Sequence, residues 1–392
     1  MMTQLRLALK NLVGAGARTW LNVAVTSFTF VIIIFMSGLY QGILAYSKRV
    51  TVESEVAGGI YWHPLYDPDD PFTLDDSHGA PPQAVLDQIA EGRAMSVLLV
   101  TGAAYINGRM IPMQLRGIDP AQQIVAMPTT SLADYDGDAI PVMIGTGMAK
   151  LLGAGEGDAI TIRWRDAYGT YDAADVEISK VMSVENFKVD FGILWLPLAV
   201  LQEMSNMPGE ATYVTVRQGE PLLETASPWV LKTVMSLMED MIALVQAKQS
   251  SAAIMYVLLL ALSALGIFNS QVLSIFQRRR EIGTLMALGM SRQRVVGLFT
   301  LEGGIHSVLA LILAFIYGAP LLYLTASRGL PLPMDYSDSG FLIGERLFPV
   351  YGPWLVAGTT LLVATIVTVV SYLPSRKIAK MEPTAALRGK IA

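Results

Sequence analysis

The chain has 392 residues, of which 53% are hydrophobic and 16% are charged, and it contains no cysteine. This composition is too apolar for an ordinary soluble protein. The lack of cysteine excludes disulfides, thiolate metal sites and a cysteine nucleophile. The formal net charge of −5 hides an acidic middle and basic flanks, because residues 51–250 hold 27 acidic and 11 basic side chains.

Four stretches without Asp, Glu, Lys or Arg are long enough to cross a bilayer. They cover residues 19–47, 249–277, 303–327 and 347–375, with lengths of 29, 29, 25 and 29 residues. Helices of about 20 apolar residues span the hydrocarbon layer. We therefore predict an α-helical membrane protein with four transmembrane helices, at 20–47, 251–276, 299–327 and 352–373, plus a mixed α+β extracytoplasmic domain.

Basic side chains cluster on one side of the predicted spans. They precede the first span, fill the short loop between the second and third, and follow the fourth: Arg6, Lys10, Arg18, Arg278, Arg279, Arg280, Arg292, Arg294, Arg376, Lys377, Lys380, Arg388 and Lys390. The positive-inside rule places these segments in the cytoplasm and the acidic domain outside. The clusters lack interleaved aromatic residues, which favours lipid headgroups over nucleic acid as their partner.

Three segments that precede the second span show different sequence patterns. Residues 1–19 predict an amphipathic cytoplasmic helix, since Leu5, Leu9 and Leu12 share helical spacing. The external domain, 48–227, contains a proline-rich and aspartate-rich loop at 61–82 and then short β-type runs broken by glycine. From Pro228 a helical apolar pattern predicts a stalk helix at 228–250 that continues into the second span.

The loop between the second and third spans, 277–298, predicts two short helices. Gly289 ends the first helix, and Ser291 can cap the second through its hydroxyl group. A short amphipathic helix with basic flanks is suited to a partner's groove. Residues 328–351 form a second external loop, and residues 374–392 form a cytoplasmic tail.

The motifs of common enzymes are missing from the chain. There is no G-x-x-x-x-G-K-[ST] phosphate loop, no H-E-x-x-H, no G-x-S-x-G and no G-x-G-x-x-G, and the only histidines are His63, His78 and His306. We predict a chain that is not an enzyme and that binds no cofactor or metal itself.

Three weaker patterns keep two interpretations each. Alternating aspartates at 134, 136 and 138 could form a calcium loop or a solvated turn, and the turn is favoured because no closing glutamate follows. The glycines of IGTGMAKLLGAGEGD could hold phosphate or could cap a short helix, and the helix cap is favoured. Glu302 and His306 lie one helical turn apart in the third span and could carry protons or substrate or have a structural role, and the structural role is favoured.

The order of these parts resembles a known family. One span, a large external domain and three further spans, with RRREIGTLMALGMSRQRVVGLFTLEG after the second, is similar to permease subunits of the MacB, FtsX and LolC/LolE type of ABC transporter. The segments PVMIGTGMAKLLGAGEGDAITI and PSRKIAKMEPTAALRG resemble the external domain and the tail of that family. LGIFNSQVLSIFQRRREIG is similar to the LolC/LolE pattern.

The resemblance implies a bacterial inner-membrane protein with several spans and a periplasmic domain. It implies a separate ABC ATPase partner that binds ATP and Mg, and a second permease chain, identical or related. A periplasmic carrier or adaptor is left open, because the hook that recruits a lipoprotein carrier has no clear counterpart. The ATPase would push a coupling helix containing Glu281, Ile282, Gly283, Leu285, Leu288 and Gly289, and the stalk would transmit the motion outward by mechanotransmission.

Two functions remain open at this point. As a transporter, the chain would extract or export lipoproteins or other amphiphiles from the outer leaflet, and their acyl chains would enter at a substrate gate of Phe35, Leu39, Met235, Met238, Val257 and Phe268. As an FtsX-like transmitter, it would carry no substrate and would regulate a periplasmic partner such as a cell-wall hydrolase. The large external domain and the apolar stalk favour transport.

Overall fold

The apolar helices and the β-sheet of the protein belong to different parts of the chain. The computed structural model describes residues 17–106, 108–133, 139–184, 186–223, 226–331 and 346–377. It divides into a first unit, residues 1–44, 243–331 and 346–392, and a second unit, residues 45–242 and 332–345. The described helices are α1 Ala17–Thr51, α2 Gln83–Ala90, α3 Thr146–Leu152, α4 Phe187–Asp190, α5 Leu198–Met204, α6 Val234–Leu237, α7 Glu239–Gln277, α8 Arg279–Ala287, α9 Arg292–Arg328 and α10 Pro353–Ser375.

Within the described ranges, four helices are long and apolar enough to cross a membrane. They are α1 together with the π-turn Val52–Val56 that follows it, α7, α9 and α10. Each of them covers one of the predicted spans, and the structure extends every span at one end or both. The described part of the predicted amphipathic helix, from Ala17 onward, already belongs to α1, and residues 1–16 lie outside the described part.

Close packing at small residues holds the spans of the first unit together. Thr26 of α1 and Ser263 of α7 share a hydrogen bond of 2.6 Å between their hydroxyl groups. A Cβ atom on Gly318 of α9 would lie 2.6 Å from the side chain of Val31, so only glycine allows this approach. Small residues at such contacts let helix backbones approach closely, which is how membrane helices gain packing energy.

The second unit is built on a mixed β-sheet. Its described strands are β1 Gly59–Trp62, β2 Ala94–Ile106, β3 Arg109–Ile118, β4 Ile140–Gly145, β5 Ala159–Arg165, β6 Tyr171–Met182, β7 Ile193–Pro197, β8 Tyr213–Val216 and β9 Val230–Lys232. They follow the order β3-β7-β4-β6-β5-β2-β8-β1-β9, and β3 also pairs with β2. Six of these strands, from β3 round to β2, therefore form a closed ring of pairings. Two short strands of the first unit, β10 Leu330–Pro331 and β11 Arg346–Leu347, pair separately.

Alternating side chains give the sheet two apolar cores. Leu98, Val100 and Ala104 of β2 point into one core, which Met148 of α3 and Leu201 of α5 complete. Met95, Val97 and Leu99 of the same strand belong to the other core, with Trp195 and Tyr213. This period of two is what a strand buried on both faces requires.

The predicted stalk helix is wrong over its first six residues, 228–233. Val230, Leu231 and Lys232 form β9 and pair with Trp62, Tyr61 and Ile60 of β1. Thr233 then caps α6, because its hydroxyl group accepts a hydrogen bond from the Ser236 amide at 3.2 Å. A short irregularity at Met238 separates α6 from α7. The apolar spacing fits a helix, but hydrogen bonds from β1 draw the segment into the sheet.

The proline-rich segment 61–82 is also more ordered than the loop prediction allows. Tyr61 and Trp62 belong to β1, which lies between β8 and β9. Residues Pro71–Asp76 form a 3-10 helix that Asp70 caps, since its carboxylate accepts from the Phe72 amide. Proline at the first position of a helix is compatible with its fixed φ angle, which explains why prolines did not exclude this turn.

Candidate functional site

The predicted coupling segment forms two helices joined by a tight turn. Helix α8 ends just before Gly289, whose φ of +90° is a conformation that residues with a side chain rarely adopt. The Gly289 amide donates to the carbonyl oxygen of Met286 at 3.1 Å. Ser291 occupies the capping position of α9, but its hydroxyl makes no capping hydrogen bond, so that part of the prediction is wrong. Its carbonyl oxygen instead accepts from Arg294 and Val295.

The six predicted coupling residues divide into an inward and an outward group. Ile282 is fully buried and packs against Val295 and Phe299 of α9, and Gly283 is buried beside it. Leu285 is half-buried, whereas Glu281, Leu288 and Gly289 are exposed. Leu288 follows the last residue of α8 and is 80% exposed. Ile282 therefore fixes α8 to the bundle, and Leu288 is available to a partner.

A charged pair joins the start of α8 to the third span. The guanidinium group of Arg278 donates to both carboxylate oxygens of Glu302, at 2.9 and 3.1 Å, and to Glu281 at 2.7 Å. It also lies over the ring of Phe299, 4.9 Å from its centre. One nitrogen of Arg278, Nη1, makes both contacts to Glu302, and hydrogen bonds between charged groups are stronger than neutral ones, so the pair helps to hold α8 on α9.

The carboxylates of Glu281 and Glu302 stabilise the positive charge of Arg278. Burial by itself lowers the pKa of Arg278, but the carboxylates of Glu281 and Glu302 outweigh that effect and raise the pKa above its usual value. Glu302 is 7% exposed. Its backbone carbonyl lies 3.0 Å from Nδ1 of His306, which therefore donates to it. Glu302 thus has the structural partner that the favoured interpretation predicts, although sequence spacing did not identify Arg278.

The predicted substrate-gate residues do not gather at one place. Asn22 of α1 donates to the carbonyl of Gly266 of α7 at 3.2 Å, and together with the contact between Thr26 and Ser263 this shows that the two spans run antiparallel. Phe268 lies beyond Gly266, at the opposite end of this contact from Phe35 and Leu39. The six residues therefore cannot line one short opening between the first two spans.

Exposure also separates the gate residues. Val257 and Met235 are 63% and 64% exposed, whereas Met238 is 4% exposed and unavailable to a ligand. Phe35, Leu39 and Phe268 are half-buried. A gate at Phe35, Leu39 and Val257 stays a prediction, and Met238 is a packing residue of the second unit.

The glycine-rich segment 144–158 of the second unit contacts the carboxylate of Asp190. The amide of Gly147 lies 3.0 Å from both carboxylate oxygens of Asp190. A Cβ atom on Gly145 would lie 1.8 Å from the same carboxylate, so glycine is needed to make room for it. Burial raises the pKa of Asp190, and the Gly147 amide offsets part of this rise. The Gly147 amide is thus used by Asp190, and Gly153 caps α3 as expected, with a φ of +67°. The aspartates at 134, 136 and 138 lie outside the described residues.

The end of the first span is bound into the second unit by polar contacts that the sequence analysis missed. The π-turn carries Ser54, whose hydroxyl accepts from the side-chain amide of Asn186 at 2.7 Å. Glu55 follows it and pairs with Arg116 of β3 at 3.4 Å. Arg116 is 8% exposed and also lies over the ring of Trp195. The only signal in the sequence is a pair of glutamates directly after an apolar span.

Comparison with known proteins relates part of this chain to known permeases. Residues 253–383, the segment that contains α8, α9 and α10, match the family model of the FtsX-like permease C-terminal domain. It is weakly similar to ABC transporter permeases of the MacB type. An uncharacterized ABC transporter permease from Methanocaldococcus jannaschii is 30% identical over 132 residues, which are 33% of this chain and 30% of the relative.

A second relative and two solved structures complete the comparison. The macrolide export ATP-binding/permease protein MacB of Escherichia coli is 26% identical over 129 residues, 33% of this chain and 18% of the relative. The match thus spans less than a third of either relative. The periplasmic region of MacB from Actinobacillus actinomycetemcomitans aligns with 49% of this chain and 95% of its own, at 8% identity and a TM-score of 0.34. The extracellular domain of the Gram-positive transporter YknZ aligns with 47% of this chain and 94% of its own, at 12% identity and a TM-score of 0.26.

Proposed function

We propose that this chain is the permease subunit of an ATP-driven ABC transporter that extracts or exports lipoproteins or other amphiphiles from the outer leaflet of the bacterial inner membrane. The observation that carries the proposal is the attachment of α8 to the third span. A short helix between two apolar spans exposes Leu288 and is fixed to the third span by the pair of Arg278 and Glu302. A loop that only connected two spans would not need this arrangement.

The proposed mechanism begins with a separate ATPase chain, which binds ATP and Mg and hydrolyses the nucleotide. It would contact the outward side of α8 at Glu281, Leu285 and Leu288, which are exposed or half-buried. Because Arg278 holds α8 on α9, a displacement of α8 would move the third span with it. The ATPase has to bind two arrangements of the permease with different affinity, since only differential binding shifts such an equilibrium.

Two helices offer a route for the motion to the external domain. Helices α1 and α7 both run without a break from the first unit into the second, which begins at Ala45 and ends its main segment at Ile242. A continuous helix transmits axial displacement because its backbone hydrogen bonds are satisfied internally. A second permease chain, identical or related, would supply four more spans and the other wall of a substrate path. A periplasmic carrier would receive the extracted amphiphile.

The test is to purify the chain with its ATPase and to measure what stimulates ATP hydrolysis. Transport predicts stimulation by a lipoprotein or a phospholipid. The alternative, an FtsX-like transmitter, predicts stimulation only by a soluble periplasmic partner such as a cell-wall hydrolase, and that result would replace the proposal.

A matched pair of variants tests the docking surface itself. Leu288→Asp should lower the affinity for the ATPase about tenfold or more, because buried apolar anchors dominate interface energies. Leu65→Asp, at a leucine of the second unit that is 57% exposed, should leave the affinity unchanged. Equal affinity of both variants and the wild type would show that α8 is not the docking helix.

A further inference from the structure

A groove runs between the third and fourth spans at their basic ends. It has a volume of about 690 Å³ and lies on one face of α9 and one face of α10. Its lining residues are Gln293, Val296, Gly297, Thr300, Leu301, Gly304, Thr368, Tyr372 and Arg376. The α9 residues recur every three or four positions, which is a single helix face, and from Gln293 to Gly304 that face is about 16 Å long.

Glycine shapes the groove. At Gly303 a Cβ atom would lie 2.2 Å from the side chain of Ser371, so the two helices touch along this line and close the floor. At Gly297 a Cβ atom would meet nothing within 4 Å, and at Gly304 only the Thr368 hydroxyl at 3.8 Å. The neighbouring glycines therefore leave a channel beside a tight contact, and larger residues at Gly297 or Gly304 would fill it.

The wall of the groove is mainly apolar, and its polar groups lie toward one end. The hydroxyl groups of Thr300 and Thr368 donate to carbonyl oxygens within their own helices, which leaves their methyl groups on the surface. Gln293 and Arg376 lie at the basic end, and Arg376 lies over the ring of Tyr372. This is the pattern of an amphiphile site, with a charged end and an apolar length.

The charge at this end has one sign. The first two turns of α9 carry Arg292 and Arg294, the end of α10 carries Arg376 and Lys377, and these described segments contain no aspartate or glutamate. Glu302, the nearest acidic residue along α9, is paired with Arg278. Basic pockets between membrane helices on the cytoplasmic side bind anionic lipid headgroups.

We propose that this groove binds one anionic phospholipid from the cytoplasmic leaflet. The phosphate group would lie at Arg376 and Gln293, and an acyl chain would lie along Gly297, Leu301 and Gly304. This lipid is not the transported substrate, whose predicted entrance lies between the first two spans. The site does not depend on the ATPase, so it can be tested without nucleotide.

The experiment uses the full-length chain in detergent with either phosphatidylglycerol or phosphatidylcholine, and native mass spectrometry counts the lipids that stay bound. The wild type should retain one more phosphatidylglycerol than phosphatidylcholine. Gly304→Leu and Gly297→Leu should lose that lipid. Arg376→Gln should weaken phosphatidylglycerol binding about fivefold, since one basic residue near the headgroups contributes about 1 kcal/mol.

The chain offers a matched control. Gly358 lies in α10 outside the groove, and a Cβ atom there meets nothing within 4 Å. Gly358→Leu should therefore retain the lipid as the wild type does. The proposal fails if the wild type shows no preference for phosphatidylglycerol. It also fails if Gly304→Leu and Gly297→Leu bind as much as Gly358→Leu, or if Arg376→Gln binds phosphatidylglycerol as tightly as the wild type.

Discussion

At the scale of single residues, the pair of Arg278 and Glu302 carries the strongest structural argument. Both oxygens of one carboxylate accept from one guanidinium group, at a site where the carboxylate is 7% exposed. Breaking such a pair leaves a poorly solvated charge behind, which costs more than the pair contributes. Glu302, for which the sequence favours a structural role over a proton-carrying one, is therefore a positioning residue for α8.

Glu302→Gln should destabilise the protein and weaken its response to the ATPase. The amide keeps the shape of the carboxylate but gives up its charge, and losing a hydrogen bond to a charged group costs about 1.5–3 kcal/mol. Thermal unfolding and the ATPase rate of the complex measure the two effects. For thermal unfolding, Glu281→Gln is the control, because the Glu281 side chain is 62% exposed and exposed pairs contribute about 0–1 kcal/mol. Similar losses of thermal stability in both variants would contradict the role given to Glu302.

Asp190 should make the stability of the external domain depend on pH. Because its folded pKa is raised above the ordinary value of 3.8, its contribution is fully present below that pH and is lost as the pH rises through the folded pKa. Asp190→Asn does not titrate. The melting temperature of the variant relative to the wild type should therefore increase as the pH rises above 3.8 and then level off. A constant difference across this range would show that burial does not perturb Asp190.

At the scale of secondary-structure elements, the turns determine where the helices end and in which direction the chain continues. The segment between α8 and α9 depends on the positive φ of Gly289. The junction after α1 depends on a π-turn whose polar groups are bound by Asn186 and Arg116. In both places a helix changes direction or ends at a defined residue, which a mechanical element requires.

Gly289→Pro should abolish the coupling of the ATPase to the permease while leaving membrane insertion intact. Proline fixes φ near −65° and lacks an amide hydrogen, whereas Gly289 has a φ of +90° and donates to Met286. Helices α8 and α9 would no longer meet at the same angle. ATPase assays of the complex and the yield of inserted protein measure the two effects. Gly289→Asn, which tolerates positive φ better than other residues, should retain part of the activity. Normal coupling in the proline variant would refute the assigned role.

Arg116→Met should destabilise the second unit strongly. Glu55 would keep its charge without a partner, and breaking a buried ion pair costs about 3 kcal/mol. Denaturant unfolding followed by tryptophan fluorescence reports this, because Trp195 lies under Arg116. The matched control is Arg165→Met, whose pair with Asp75 has side chains 48% and 54% exposed and should matter little. A loss of stability in the control as large as in Arg116→Met would contradict this account.

The sequence was informative where one period dominates a segment and uninformative where a distant partner decides. The spans follow from uncharged runs, and β5 follows from alternation at Ile160, Ile162 and Trp164. Strand β7 was missed because all five of its residues are buried, so it shows no alternation. Strand β9 was missed because its partner, β1, lies about 170 residues earlier in the chain, which no local pattern reveals. For the same reason, no local pattern predicts that Arg278 pairs with Glu302 or that Arg116 pairs with Glu55.

At the scale of the whole molecule, charge and hydropathy together predict the topology. The acidic residues concentrate between the first and second spans, and the basic residues concentrate at the other ends of the spans. The exposed positions of each unit make this testable, and the absence of cysteine removes any background from thiol labelling.

Single cysteines should be labelled from opposite sides of the membrane. Phe72→Cys and Leu288→Cys replace side chains that are 91% and 80% exposed, so neither change should disturb packing. A membrane-impermeant maleimide should label the first variant in spheroplasts and the second only after permeabilisation. Labelling of both variants in intact spheroplasts would overturn the topology and with it the proposed ATPase contact.

The closed ring of strands in the second unit also affects how readily other chains can add a strand to its sheet. A sheet normally exposes two edges, whose unpaired amides and carbonyls invite other chains to add a strand and aggregate. Here β3 returns to β2, so among the described strands of this sheet only β9, a strand of three residues, pairs with a single neighbour. A domain in which eight of nine described strands have two or more neighbours offers other chains few positions at which a strand can be added.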